Sequence, residues 1–141
     1  MVLPNEATKT VIDRFPDLQK SEHWEGYYLF MDYTDQEENL RCCGIMTTLG
    51  RYVEDLLNAP LSIEKKQEIK EIFSLIEFFI KEGNQTVQDA AATCFLENLI
   101  NYTSAGTLKP ETFLCYLGPE SKAYCKAWDE FTGVKTEGLW D

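Results

Sequence analysis

Two glutamates interrupt apolar runs in the sequence, and they are the first side chains to test for chemistry. Glu77 lies in the phrase SLIEFF, and Glu97 lies in the longer phrase AATCFLENLIN. Two carboxylates about 5 to 9 Å apart across a cleft, with pKa values pushed apart, can act as a general acid and a general base. Sequence alone establishes neither the separation nor the pKa difference. We therefore predict no catalytic role for this pair.

Helical geometry gives the two glutamates different surroundings. At about 100° per residue, Thr93, Glu97 and Asn101 form one narrow polar stripe on a largely apolar helix. Glu97 is therefore expected at the edge where this helix reaches the surface, either as a solvated carboxylate or as a contact for a cation on a partner. Glu77 is followed at i+4 by Lys81, which predicts an exposed intrahelical ion pair worth a few tenths of a kcal/mol.

Other catalytic and ligand-binding patterns are weak. His23 is the single histidine, so a Ser/His/Asp triad or a Cys/His dyad would depend on it, and a surface or structural ring is the simpler interpretation. Neither GxGxxG nor GxxxxGK occurs. The cysteines are odd in number and lack CxxC spacing, which predicts reduced, mostly structural thiols. They are Cys42, Cys43, Cys94, Cys115 and Cys125. We therefore predict a protein that is not an enzyme and has no cofactor and no metal site.

Charge constrains the partner. Twenty-four acids against thirteen Lys and Arg give a net charge of −11, which disfavours nucleic acid and anionic membranes and favours a basic protein partner. The N-terminal sequence MVLPNEATKT lacks the pattern of a secretory signal, and no run approaches the ~18 apolar residues of a membrane span. These features predict a cytoplasmic protein that does not enter a membrane.

The strongest binding signal is an acidic–aromatic segment, residues 22–38. Between Ser21 and Leu40 there are six acids, no Lys or Arg, and five aromatic residues. Aromatics can anchor an interface whose carboxylates steer a basic partner, but they can equally belong to the core beneath a solvated acidic face. Both alternatives stay open. The predicted partner contacts are Glu22, Trp24, Glu25, Asp32, Tyr33, Asp35, Glu37 and Glu38, together with Glu97.

Apolar spacing predicts an all-α protein. The helical segments cover residues 6–15, 21–33, 35–57, 62–82, 86–102, 110–117 and 119–131, of which the second is ambiguous because WEGYYLFMDY also suits a strand. Short connections without a series of strands favour one domain over residues 1–141. An irregular bundle and a short stack of helical hairpins, with six to seven helices, fit equally well. Leu139 and Trp140 in the tail are expected to dock on the body.

Several phrases of the sequence occur in an order that resembles a known family. They are IFSLIE at Ile72–Glu77, the Gly83–Asn84 turn, FLENL at Phe95–Leu99 and LGPES at Leu117–Ser121. The chain resembles, over roughly residues 60 to 131, small helical immunity proteins of bacterial polymorphic-toxin and contact-dependent growth inhibition loci. The phrases consist mainly of packing residues, so they point to a fold more than to an interface.

The resemblance implies a function in bacterial competition. Such a protein binds a cognate toxin in the cytosol of the producing cell, one to one, and occludes the toxin's active site. Many such toxins are nucleases with cationic surfaces, which an acidic inhibitor would complement. The alternative is a non-catalytic acidic adaptor or regulator that binds a basic host protein.

Overall fold

The computed structural model describes residues 1–24 and 38–141, and these residues form an irregular helical bundle. The α-helices are α1 (Pro4–Arg14), α2 (Glu38–Leu57), α3 (Ile63–Glu82), α4 (Gln85–Asp89), α5 (Glu97–Ala105) and α6 (Pro119–Thr132). A π-helical stretch, Ala90–Leu96, joins α4 to α5, and short 3-10 helices span Pro16–Lys20, Pro110–Thr112 and Leu114–Tyr116. The all-α prediction is confirmed. None of the described helices is long and apolar enough to cross a membrane.

Side-chain caps explain where two of the helices begin. The Ser62 hydroxyl accepts a hydrogen bond from Lys65 N at 3.1 Å, at the predicted start of the segment 62–82. The Asn84 side chain accepts from Val87 N at 2.9 Å and starts α4 two residues after α3 ends. Each cap satisfies a backbone donor that has no partner within its own helix.

A close approach at Gly83 ties the N-terminus to the α3–α4 turn. Val2 N donates to Glu82 O and Asn84 N donates to Val2 O, both at 2.8 Å, which forms an isolated bridge between Val2 and Gly83. A Cβ on Gly83 would lie 2.5 Å from the carbonyl oxygen of Phe79. The predicted tight turn at Gly83–Asn84 therefore needs glycine because the backbones are too close for any side chain.

The core lies between α2, α3 and the helical run from α4 to α5. Its largest buried side chains include Phe73, Phe79, Phe95 and Phe113, and the ring of Phe73 meets that of Phe95 edge to face at 5.5 Å. Leu139, in the tail, is 1% exposed, so its predicted docking is confirmed. This core fixes the relative positions of the helices that carry the polar groups described below.

Two predicted helical segments differ from the structure. Residues 110–117, expected as one helix, form two short 3-10 helices. The segment 86–102 is helical but includes the π-helical stretch, whose wider turn changes the 100° spacing on which the polar stripe was based. In the ambiguous segment 21–33, Ser21 is a bend, residues 22–24 are helical, and residues 25–33 lie outside the described residues.

The prediction of reduced thiols is wrong for two of the five cysteines. Cys43 of α2 and Cys94 of the π-helical stretch form a disulfide, with their Cα atoms 5.5 Å apart. Cys42 and Cys125 are free and buried, whereas Cys115 is free and exposed. The sequence rule looks for closely spaced cysteines, and it could not identify this pair because 51 positions separate its members. Packing of α2 against the π-helical stretch brings the two together.

Candidate functional site

Only some of the predicted partner-contact residues can be located. Glu22, Trp24, Glu38 and Glu97 belong to the described part of the chain. The other five lie outside the described residues, and their predicted role stays a prediction. They are Glu25, Asp32, Tyr33, Asp35 and Glu37.

Glu77 is a helix cap, so the predicted ion pair with Lys81 is wrong. Its carboxylate accepts hydrogen bonds from Glu120 N and Ser121 N, each at 2.9 Å, and from the Ser121 hydroxyl at 2.8 Å. Burial by itself would raise the pKa of Glu77, but these donors outweigh it and the pKa is lowered. Lys81 adds only a weaker, longer-range attraction. A Cβ on Gly118 would lie 2.5 Å from this carboxyl group, so glycine makes room for the cap.

Glu97 is half-buried and has an internal partner. The hydroxyl of Tyr124, on α6, donates a hydrogen bond to Glu97 Oε2. Burial, and secondarily this carboxylate, raises the pKa of Tyr124 to about 12. Thr93 and Asn101 of the predicted stripe are exposed on either side. The carboxylate therefore already accepts a hydrogen bond within the fold. The contact of Glu97 with a partner stays a prediction.

Glu38 and Trp24 mark the two places where the described chain meets residues 25–37. Glu38 Oε1 accepts a hydrogen bond from Asn5 N at 3.2 Å, which ties the start of α2 to α1. Trp24 is half-buried and packs against the core, while its backbone N–H donates to Ser21 O at 3.2 Å. At Trp24, therefore, the structure places the aromatic ring against the core, as one of the two alternatives for this segment requires.

The polar arrangement most suited to binding is the His23 cluster, made of Glu22, His23 and Asp55. His23 Nε2 lies 2.6 Å from Asp55 Oδ2 and 3.8 Å from Glu22 Oε1. The side chain of His23 is 19% exposed, compared with 53% for Asp55 and 82% for Glu22. A mostly buried imidazole thus lies between two carboxylates that face solvent.

Beside it lies the Lys65 network, made of Asp17, Tyr52, Lys65 and Glu68. Lys65 Nζ contacts Asp17 Oδ2 at 3.1 Å, Glu68 Oε1 at 3.2 Å and the Tyr52 hydroxyl at 3.4 Å, and this hydroxyl donates to Glu68 at 2.8 Å. Burial by itself would lower the pKa of Lys65, but hydrogen bonds to these three groups raise it. Burial, with Glu68 second, raises the pKa of Tyr52 to about 12. Lys65 is therefore held as a cation among carboxylates.

The His23 cluster and the Lys65 network share helix α2. Tyr52 and Asp55 are three residues apart, which makes them neighbours on one helical face. We call the two together the acidic surface; it holds four carboxylates, the ammonium group of Lys65 and the imidazole of His23. A second ammonium group, that of Lys20, lies 3.4 Å from Asp17 at its edge. An open cavity of about 570 Å³ adjoins the acidic surface, and its charged lining residues are Arg14, Asp17, Glu64, Lys65, Glu68 and Glu71. This arrangement can attract and hold a cationic group.

Sequence reasoning missed most of the acidic surface. It singled out Glu22 and regarded His23 as a surface or structural ring, but it gave no role to Asp55 or Asp17. These residues come from separate elements, and their spacing along the chain carries no signal of their proximity. The local signals were the i,i+3 spacings of Lys65 with Glu68 on α3 and of Tyr52 with Asp55 on α2.

A family model described as a domain of unknown function matches residues 8–133 of the chain. No curated protein and no solved structure matches the chain.

Proposed function

The chain belongs to the DUF7674 family, a domain family of unknown function, and we propose that it is an immunity protein that binds and neutralises a basic toxin domain. It acts without catalysis, by one-to-one association that covers the toxin's active site. The proposal draws on the resemblance of residues 60–131 to immunity proteins and on the net charge of −11. Neither nucleic acid nor a membrane is a partner in this scheme.

The observation that carries the proposal is the acidic surface. Glu22 and Asp55 present exposed carboxylates. The ammonium group of Lys65 is already bound by Asp17 and Glu68, and that of Lys20 is bound by Asp17. Such an arrangement attracts a cationic partner over a distance and raises the association rate by roughly 10- to 1,000-fold. It also favours Arg or Lys side chains of the partner, because each finds a carboxylate within reach.

The acidic surface also borders the acidic–aromatic segment. Glu22 and Trp24 are its first residues, so the predicted contacts Glu25, Asp32, Tyr33, Asp35 and Glu37 follow directly in the chain. We propose that the segment and the acidic surface both contact the toxin. In this proposal aromatic residues of the segment anchor the partner and its carboxylates steer a basic surface.

We place the protein in the cytosol of the producing cell, where an immunity protein meets its toxin. The Cys43–Cys94 disulfide weighs against this location, because disulfides are rare in the reducing cytosol. Thiol labelling of the protein in the producing cell decides the point. Free Cys43 and Cys94 in the cell agree with a cytosolic protein, and a disulfide already present in the cell moves the site of action to the cell envelope.

Co-expression with the toxin gene encoded beside this one tests the function. We expect the toxin to kill cells alone and not when this chain is present. The double variant Glu22→Lys, Asp55→Lys should lose protection and associate about 10-fold more slowly at low salt, with a weaker dependence on salt. The matched control is Glu130→Lys, Glu137→Lys, which changes the net charge equally at two exposed positions of α6 and the tail.

The outcomes separate the alternatives. Equal killing with and without this chain overturns the immunity function, and so does the absence of any toxin gene beside it. Recovery of a basic host protein in place of a toxin would favour the acidic adaptor. If protection holds but the two double variants behave alike, the interface lies elsewhere on the surface.

A further inference from the structure

Three potential metal ligands from two separate elements converge at the His23 cluster. Glu22 and His23 come from the helical residues 22–24, and Asp55 comes from the last turns of α2. One ligand atom from each of the three lies within 4.8 Å of the other two. We infer that this cluster binds a divalent transition-metal ion of the zinc class, through His23 Nε2 and one oxygen of each carboxylate.

The ligand atoms stand close to the separations that a bound ion requires. Zinc binds imidazole nitrogen at about 2.0–2.1 Å and carboxylate oxygen at about 2.0–2.2 Å, so two ligands of one ion lie roughly 3.0 to 3.4 Å apart. The observed separations are 2.6 Å from His23 Nε2 to Asp55 and 3.8 Å from Nε2 to Glu22. The ion takes the place of the proton between His23 Nε2 and Asp55. This proton leaves to solvent, or the ring takes its Nδ1–H tautomer, and small rotations of the side chains complete the site.

The fold holds two of these ligands and leaves the third free to adjust. His23 is 19% exposed, and its neighbour Trp24 packs against the core, which fixes the backbone of this turn. Asp55 stands on a helix of 20 residues. Glu22 is 82% exposed, so its side chain can close onto an ion from solvent at little cost. Two fixed ligands and one mobile ligand make a site that an ion can enter and leave.

The local charges favour a cation at this point. Within the described residues, the ion pairs found within 4.0 Å give Glu22 and Asp55 no Lys or Arg partner. The nearby amines are already used, because Lys20 pairs with Asp17 at 3.4 Å and Lys65 pairs with Asp17 and Glu68. A divalent ion would balance both carboxylates without displacing an ion pair formed by Lys20 or Lys65.

The donor set distinguishes zinc-class ions from magnesium and calcium. Imidazole suits zinc, nickel, copper and cobalt, whereas magnesium and calcium prefer sites made wholly of oxygen ligands. Three protein ligands leave at least one coordination position for water or for a ligand from another molecule. This inference does not rest on the proposed function, because a chain that neutralises no toxin can still bind the ion.

The single histidine gives a direct test. Only His23 contributes imidazole ring signals to an NMR spectrum, so a titration with zinc chloride reports on this site without any assignment step. We expect the ring signals to shift to a limit at one equivalent of zinc and not to shift with magnesium. A Cys115→Ser background removes the exposed thiol that would otherwise bind zinc.

Variants of the ligands measure their contributions by calorimetry. Asp55→Asn and His23→Gln should each weaken zinc binding by about 10-fold or more, and Glu22→Gln by less. The matched control is Glu54→Gln, next to Asp55 on α2, because the Glu54 side chain instead accepts a hydrogen bond from the Thr107 hydroxyl at 2.7 Å. Its affinity should stay that of the parent protein.

Several results would overturn the inference. The His23 signals could stay unchanged at one equivalent of zinc, or Asp55→Asn could bind zinc as tightly as Glu54→Gln. Binding of several equivalents of zinc that Asp55→Asn leaves intact would indicate scattered surface carboxylates. A response to magnesium equal to the response to zinc would contradict the imidazole as a ligand.

Discussion

Carboxylates in two regions of this molecule have opposite surroundings. At the junction of α3 with α6 and in the C-terminal tail, Glu77 and Asp129 are each bound by several donors from within the fold. In the His23 cluster, Glu22 and Asp55 are exposed and share one imidazole. The first region uses negative charge to hold backbone in place, and the second leaves it available to a partner or an ion.

Asp129 is a buried carboxylate that is bound by several donors from within the fold. Its side chain accepts hydrogen bonds from Thr136 N at 2.7 Å, from the Thr136 hydroxyl at 2.8 Å and from Trp140 Nε1 at 3.1 Å. The residue is 2% exposed. These donors fasten the tail to α6 and keep Leu139 in the core, so the carboxylate serves the fold.

The difference between the regions lies in the donors that reach each carboxylate. Glu77 meets two backbone N–H groups because α6 begins directly above it, and Gly118 leaves the space for this approach. No such helix start reaches Asp55 among the described residues, where His23 is the partner found. A carboxylate's role thus depends on which elements end or begin beside it.

The largest expected effect is that of Asp129→Ala. It leaves up to three donors without their acceptor, two of them from the buried Thr136, and should lower the free energy of unfolding by about 3 kcal/mol. Urea unfolding measures the loss, and Asp129→Asn should lose less because its amide keeps one acceptor oxygen. Glu130→Ala, at the exposed neighbouring position, is the control. A loss below about 1 kcal/mol for Asp129→Ala would mean that the tail is held by Leu139 alone.

A smaller effect, which depends on pH, is expected for Glu77→Gln. Removing the charge of this helix cap should lower the free energy of unfolding by about 1 to 2 kcal/mol at neutral pH. Because the pKa of Glu77 is lowered in the folded state, its contribution is complete above the ordinary glutamate pKa, about 4.3. The contribution is lost as the pH falls through the lower, folded-state value. The difference between parent and variant should therefore shrink below about pH 4.

Lys81→Gln distinguishes the cap from an ion pair. The structure gives Lys81 only a distant attraction to Glu77, so this variant should change the stability by a few tenths of a kcal/mol at most. Unfolding curves of both variants over the same pH range make the comparison. If Lys81→Gln lowers the free energy of unfolding as much as Glu77→Gln does, the ion pair predicted from the sequence is present after all.

Much of the fold was predictable because its signals are local. The Ser62 cap, the turn at Gly83–Asn84 and the apolar face of α3 each depend on residues close together in the chain. The π-helical stretch was not predictable from the pattern, since AATCFL also suits a regular helix. The disulfide was not predictable either, because Cys43 and Cys94 approach each other only when α2 packs on that stretch.

The candidate site was less predictable because it consists of contacts between distant residues. Asp17 and Lys65 are 48 positions apart, and His23 and Asp55 are 32 apart. Counting charges identified the acidic character of residues 22–38 but could not show that Asp55 would join Glu22. The same limit led to the wrong partner for Glu77, since Lys81 was the nearest cation in the chain and Ser121 was 44 positions away.

The smallest effect on stability is expected in the His23 cluster, whose carboxylates are exposed. Asp55→Asn and Glu22→Gln should each change the free energy of unfolding by no more than about 0.5 kcal/mol, because exposed ion pairs contribute little. Glu54→Gln is the control from the same helix, and urea unfolding at neutral pH makes the measurement. If Asp55→Asn lowers the free energy of unfolding as much as Glu77→Gln does, the Asp55–His23 contact stabilises the fold. The comparison between the two regions would then fail, because both would use their carboxylates to hold the structure together.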